Sequence, residues 1–143
     1  MAVRADGVRF IDDSKGTNVG ATIAALAGFD EPVILIAGGD GKGQSFAPLA
    51  QAARDRVRLA FLIGRDAPAM ETAFMQAGVP TRRCATLPEA VAMADAAAQP
   101  GEVVLLSPAC ASLDMFRDYA HRSEVFLEAI RSLPEEGGRW SKR

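Results

Sequence analysis

Apolar runs alternate with amphipathic segments from one end of the chain to the other, the pattern of strands and helices in a mostly parallel sheet covered on both faces. Strands are expected at residues 8–11, 32–37, 59–63, 81–84 and 102–106. The run at 32–37, Pro-Val-Ile-Leu-Ile-Ala, is apolar throughout, which suits a parallel strand buried on both faces. Residues 18–26 predict a helix whose first free N–H groups Thr17 or Asn18 can satisfy. A second helix follows Gly64-Arg65-Asp66 and runs to about Ala77, with Gly78 as a left-handed cap. Thr86-Leu87-Pro88-Glu89 is a capping box with proline in the first turn, and Leu87, Ala90, Val91, Ala94 and Ala98 then fall on one face. A final helix carries the stripe Phe116, Ala120, Ser123, Leu127 and Ile130, ended by Pro134 and Gly137-Gly138.

These elements predict an α/β fold, Rossmann-like, with a mostly parallel sheet and helices on both faces. At 143 residues, 49% of them hydrophobic, the chain can bury one substantial core, so residues 2–133 are expected as one domain and 134–143 as a flexible tail. The formal charge of -2, from 16 basic and 18 acidic side chains, offers no broad basic surface for a nucleic acid. No stretch approaches the roughly 20 apolar residues of a membrane helix, and the N-terminus is too charged for a secretory signal. Cys84 and Cys110 lie too far apart in sequence for a close-spaced metal or redox pair. A cytoplasmic monomer without membrane contact is expected.

Chemistry concentrates in three loops, each directly after a predicted strand: Asp13-Ser14-Lys15-Gly16-Thr17-Asn18, residues 38–43, and Ser107-Pro108-Ala109-Cys110-Ala111-Ser112. In a parallel sheet such loops meet at the carboxyl edge, where ligands of these folds bind. Lysines, hydroxyls and free N–H groups at helix starts suit a small ligand with more than one carboxylate. The glycine-rich loop is not a nucleotide motif: a P-loop would need glycine where Ile36 stands and Ser or Thr where Gly43 stands, and no G-x-G-x-x-G frame fits. Taken alone, its glycines equally suit a tight strand-to-helix turn, and Asp13-Ser14-Lys15 an ordinary polar turn. Cys110, between two alanines, reads as a small packed thiol rather than a nucleophile, and His121 as a surface group rather than part of a triad. No His/Cys cluster suggests zinc, and the acidic residues form no recognisable magnesium cage.

Together DSKGTN at 13–18, GGDGK at 38–42 and SPACASLDMF at 107–116 resemble the C-terminal domain of the Mur ligases, in the family's order and over nearly the whole chain. SPACASLD resembles the branch that adds D-glutamate to UDP-N-acetylmuramoyl-L-alanine. The resemblance implies an amide-forming ligase that uses ATP and Mg2+ through an acyl phosphate, with the nucleotide and the UDP-sugar held mainly by two domains absent from this chain. It also implies that Thr17, Lys42, Ser112 and the backbone N–H of Leu113 hold the carboxylates of D-glutamate, with Lys42 positioning substrate at the reacting centre. Tyr119 falls where the family has an aromatic lining the amino-acid pocket, usually phenylalanine, so its hydroxyl is a departure. Asp13 is expected to meet the ATP ribose, and Lys15 to face the shared cleft. Other Mur ligases and folylpolyglutamate synthases share the domain plan, but SPACASLD and the lack of a DNPR-type motif argue for the D-glutamate branch. A free-standing module for an anionic metabolite stays open as an alternative.

Overall fold

The computed structural model describes residues 2–4, 6–112, 114–134 and 140–142. In chain order the elements are β1 (Ala2–Arg4), β2 (Arg9–Asp12), α1 (Val19–Ala27), β3 (Val33–Gly38), α2 (Ala47–Ala53), β4 (Val57–Ile63), α3 (Ala67–Gln76), β5 (Thr81–Arg83), α4 (Leu87–Ala97), β6 (Val103–Leu106), α5 (Tyr119–Arg131) and β7 (Trp140–Lys142). The strands form one sheet in the order β5-β4-β3-β6-β2-β1-β7. From β5 to β2 every pairing is parallel, and β1 adds antiparallel to both β2 and β7. This is the expected mostly parallel α/β sheet.

Central position explains the composition of β3 and β6. All six residues of β3 and all four of β6 are buried, because helices cover both faces. On one face Leu35, Ala37, Leu62 and Leu105 pack with Leu26 of α1, Leu49 of α2 and Phe74 of α3. On the other, Ile34, Ile36, Phe61 and Val104 pack with Val91 of α4 and Phe126 of α5. At about 25 cal/mol per Å2 of apolar surface, these two layers are the main stabilising term.

Local signals act as expected at several helix ends. Asn18 Oδ1 accepts from the Ala21 N–H at 2.8 Å to start α1, and Gly78, at φ 80°, follows α3 in the left-handed region. Thr86 Oγ1 accepts from the Glu89 N–H at 3.2 Å, but Glu89 reaches back one residue further than a capping box, to the Ala85 N–H.

Three features differ from the sequence reading. Helix α2 occupies a stretch without a predicted element; it has only seven residues and no side-chain cap, so it leaves little periodic signal. Strands β1 and β7 extend the sheet at an edge, so Trp140–Lys142, in the segment read as a flexible tail, is placed as a strand, while residues 135–139 and 143 lie outside the described residues. Gly137-Gly138, read as helix terminators, fall in that undescribed stretch. Finally, the buried face of α5 is Arg122, Phe126, Ala129 and Ile130, which shares only Ile130 with the predicted stripe: Ala120 and Leu127 are exposed and Phe116 precedes the helix. The cause is Arg122, which turns inward because it serves carbonyls in two loops.

Candidate functional site

Strands β3, β6 and β2 lie side by side, so their carboxyl ends deliver the three chemistry-bearing loops to one edge of the sheet. Backbone bonds join them. Gly38 N–H donates to the Pro108 carbonyl at 3.0 Å, Asp40 and Ala111 exchange bonds of 3.0 and 2.8 Å, and Ala109 N–H donates to Gly16 at 2.8 Å. The loop after β4 joins them too, since Gly41 N–H donates to Asp66 Oδ2 at 2.6 Å and Arg65 N–H to Asp114 Oδ2 at 2.9 Å.

Side chains fix the loop after β2. Ser107, fully buried, donates from Oγ to Asp13 Oδ2 at 2.7 Å and lies 3.0 Å from Thr22 Oγ1, which itself donates to the Ser107 carbonyl at 3.2 Å. The Asp13 carboxylate is therefore held in one orientation with its other oxygen available. Glycine is required at 16, because a Cβ there would sit 2.7 Å from Ser107 Oγ and 2.8 Å from Asp13 Oδ2. Asp12 accepts from the Ser14 N–H at 2.9 Å and from the hydroxyls of Ser14 and Ser123, tying the loop to α5.

Beneath these loops the Arg122 guanidinium, fully buried, donates to the carbonyls of Cys110 at 3.1 Å and Ser14 at 2.9 Å. Its Nε has no partner among the described residues, and burial lowers its pKa from the usual guanidinium value. The Cys110 thiol is pushed up to about 12 by burial and by the nearby Asp66 carboxylate. A thiol so protonated and enclosed is no nucleophile at neutral pH, in agreement with the reading of a small packed group. His121 sits in the first turn of α5, where its Nδ1 accepts from the Arg117 N–H at 3.1 Å and its ring meets Phe116 edge-on. It is far in role from a general base beside a nucleophile.

The structure brings together only some of the predicted site residues. Asp13, Lys15 and Tyr119 line one cleft of about 450 Å3, shared with Asp12, Ser14 and Ser123. Tyr119, predicted in the amino-acid pocket, thus stands with the pair expected at the nucleotide side. Thr17, Lys42 and Ser112 do not line that cleft. Thr17 is half-buried just before α1, and Lys42 is exposed, at φ 53°, with its ammonium 3.8 Å from Asp40 Oδ2. Ser112 is buried, its carbonyl accepting from the N–H groups of Met115 at 3.1 Å and Phe116 at 2.8 Å. Leu113 lies outside the described residues.

Three polar side chains at this edge, Arg65, Gln44 and Arg122, were not singled out from the sequence, and the bonds that Asp40 and Ser107 make from their loops were not foreseen. Asp40 is shared by Lys42 and Arg65, each 3.8 Å from its Oδ2, so that a second cation joins the lysine. Arg122 and Gln44 bond to backbone atoms of other loops, and Ser107 orients Asp13. Of the three, only Arg65, in the Gly64-Arg65-Asp66 turn after a predicted strand, offered a signal. The arrangement sets cations and N–H donors around carboxylates of fixed orientation, chemistry that can bind and position a polar ligand. Among the described residues no group of three or more His, Cys, Asp or Glu side chains is placed to hold a metal ion, and no helix is long and apolar enough to cross a membrane.

Residues 1–110 match the family described as Mur ligase, glutamate ligase domain. The chain is 63% identical over 135 residues to the UDP-N-acetylmuramoylalanine–D-glutamate ligase of Aromatoleum aromaticum, covering 94% of this chain and 29% of that protein. It is 59% identical over 133 residues to the ligase of the same name from Burkholderia mallei, covering 93% of this chain and 26% of that one. The chain thus spans under a third of the length of these curated relatives. Among solved structures, a domain from a UDP-N-acetylmuramate:L-alanyl-gamma-D-glutamyl-meso-diaminopimelate ligase of Haemophilus ducreyi superposes with a TM-score of 0.55 at 16% identity, covering 90% of this chain and 94% of that one. UDP-N-acetylmuramate-alanine ligase of Thermotoga maritima gives a TM-score of 0.58 at 16% identity over 89% of this chain and 27% of that one. These two likenesses concern the fold, whereas the family match and the high identities settle kinship: the chain belongs to the Mur ligase family, as its glutamate ligase domain.

Proposed function

We propose that this chain is the C-terminal, amino-acid-binding part of a cytoplasmic ATP-dependent ligase that adds D-glutamate to UDP-N-acetylmuramoyl-L-alanine in peptidoglycan precursor synthesis. The observation that carries the proposal is the 63% identity, across 94% of the chain, to a relative bearing that ligase's name. By itself the chain is expected to be inactive. ATP supplies the phosphoryl group that turns the sugar-linked carboxylate into an acyl phosphate; ATP, Mg2+ and the UDP-sugar are held mainly by domains outside this chain.

Within this reading Thr17, Lys42, Ser112 and the Leu113 N–H hold the two carboxylates of D-glutamate, so that its amine is aimed at the activated carbonyl. Formation of the C–N bond then accompanies loss of phosphate, and the ammonium's protons leave to solvent or phosphate. The work of these residues is positioning, since fixing a nucleophile at near-attack distance can supply several kcal/mol of the barrier. The Asp13 carboxylate, oriented by Ser107, suits a ribose hydroxyl donor, and Lys15 in the same cleft suits a phosphate. Tyr119 lies at their side of the site, where it can pack between nucleotide and amino acid. Asp13 and Lys15 therefore fit the edge of a nucleotide.

A domain exchange tests the proposal. In the Burkholderia mallei relative, the matched C-terminal region is replaced by this chain, and phosphate release from ATP is followed with UDP-N-acetylmuramoyl-L-alanine and either D- or L-glutamate. Turnover dependent on D-glutamate supports the reading; a soluble, folded chimera that turns over neither isomer contradicts it.

A further inference from the structure

Gln44 makes a connection that neither its chemistry nor its exposed neighbours announce. Its side-chain amide is used at both ends: Oε1 accepts from the Val19 N–H at 2.9 Å, and Nε2 donates to the Ala109 carbonyl at 2.7 Å. Val19 is two residues beyond Thr17 and opens α1, Ala109 is three residues before Ser112, and Gln44 itself is two residues beyond Lys42. One side chain therefore spans the loops after β2, β3 and β6, at points close to all three side chains assigned to the amino acid.

The backbone on either side of this clasp is unusual. Lys42 and Gly43, at φ 53° and 76°, form the centre of a turn closed by the Gln44 N–H to the Gly41 carbonyl at 3.1 Å. Both signs are those of a type I′ turn, which favours glycine or asparagine, so a lysine there needs outside support. Ala109, at φ 63°, is the other non-glycine residue described in the left-handed region. Its N–H donates to Gly16 at 2.8 Å and its carbonyl accepts from Gln44, so the strained residue is gripped from two loops. Strain of this kind persists only where the surroundings over-determine it, and it collects at sites where geometry matters.

We propose that Gln44 is a positioning residue that sets the spacing of Thr17, Lys42 and Ser112, and so the geometry in which the amino acid is held. The inference rests on the functional reading above for the identity of the ligand, but not for the clasp itself. An alanine at 44 releases both arms. A glutamate keeps the oxygen that accepts from Val19 and loses the donor to Ala109, placing a carboxylate oxygen against a carbonyl.

Two measurements separate the clasp from the ligand. In the 143-residue chain, amide spectra of Gln44→Ala should shift or broaden across 14–19, 40–43 and 109–112 while the amides of β3 and β4 stay in place; Gln44→Glu should leave Val19 near its position and move the 109–112 group. Changes confined to residues 43–46 in both variants overturn the clasp. In the domain-exchanged ligase, Gln44→Ala should raise KM for D-glutamate by about tenfold or more, with KM for ATP and melting temperature nearly unchanged. An active wild-type chimera in which KM for D-glutamate does not move, or in which every constant and the melting temperature fall together, overturns the positioning role. An inactive wild-type chimera counts against the ligase reading, and the amide spectra still decide the clasp.

Discussion

Arg122 donates to the carbonyl of Ser14 at 2.9 Å across 108 positions of sequence, and with its other terminal nitrogen to the carbonyl of Cys110. A guanidinium is suited to this because it presents several donors in a rigid plane and keeps its charge even where burial lowers its pKa. The loops after β2 and β6 are thereby ordered from below by α5.

Replacing Arg122 with alanine should destabilise the chain by about 2–4 kcal/mol, since two enclosed carbonyls lose their donors and a large side chain leaves a void. Arg122→Lys should recover less than half, because an ammonium cannot reproduce the planar fork. Urea unfolding of the three proteins checks both; a loss below about 1 kcal/mol for alanine would show that water replaces the guanidinium at little cost.

Gly38 ends β3 at φ 132°, and a Cβ there would collide with the Ile63 carbonyl of β4. Gly38→Ala should therefore cost at least about 3 kcal/mol, through strain and displacement of a central strand pair. Its melting temperature against wild type is the measurement, with Gly43→Ala, where a Cβ meets nothing within 4 Å, as the milder comparison.

Glu102 gives the pH dependence its acid limb. Burial pushes its carboxyl up, but Arg58, donating at 2.6 and 2.8 Å, and the Gln99 N–H at 2.7 Å outweigh it and hold the pKa below the ordinary 4.5. A carboxyl lowered by folding stabilises fully above its unfolded pKa and loses that contribution as pH falls through the folded value. Stability should decline as pH falls below 4.5, and Glu102→Gln, less stable at pH 7, should flatten that limb. Equal slopes in both proteins would assign the acid limb to other carboxylates.

Both thiols should resist modification in the folded chain. Burial raises Cys84 to about 11 and Cys110 to about 12. An aromatic disulfide reagent at pH 8 should react with neither in native conditions and with both in urea, at a rate set by unfolding. Rapid native labelling of Cys110 would mean that the loop after β6 opens locally.

Much of the fold was legible because its signals are local. Continuous burial of β3 and β6 writes itself as uninterrupted apolar sequence, and the caps of α1 and α4 are read from Asn18 and Thr86. What escaped is what depends on distant partners. The face of α5 could not be phased from hydrophobicity when a buried arginine occupies it, and α2 is too short for a period to emerge. At the site, three loops each following a strand of an expected parallel sheet predicted that they meet at one edge, and the strand order β3-β6-β2 places them there. The grouping of Tyr119 with Asp13 and Lys15, and the bonds of Gln44 and Arg122, follow from how loops fold against each other and have no counterpart in spacing.

The claim that the loops after β2, β3 and β6 hold an acidic D-amino acid is tested most directly by an amide chemical-shift titration of the chain with D-glutamate, with L-glutamate as the control. The account predicts saturable shifts at Thr17, Lys42, Ser112 and Leu113 that are larger for the D-isomer at equal concentration. Equal responses to both isomers, or none at these residues up to tens of millimolar ligand, would contradict it.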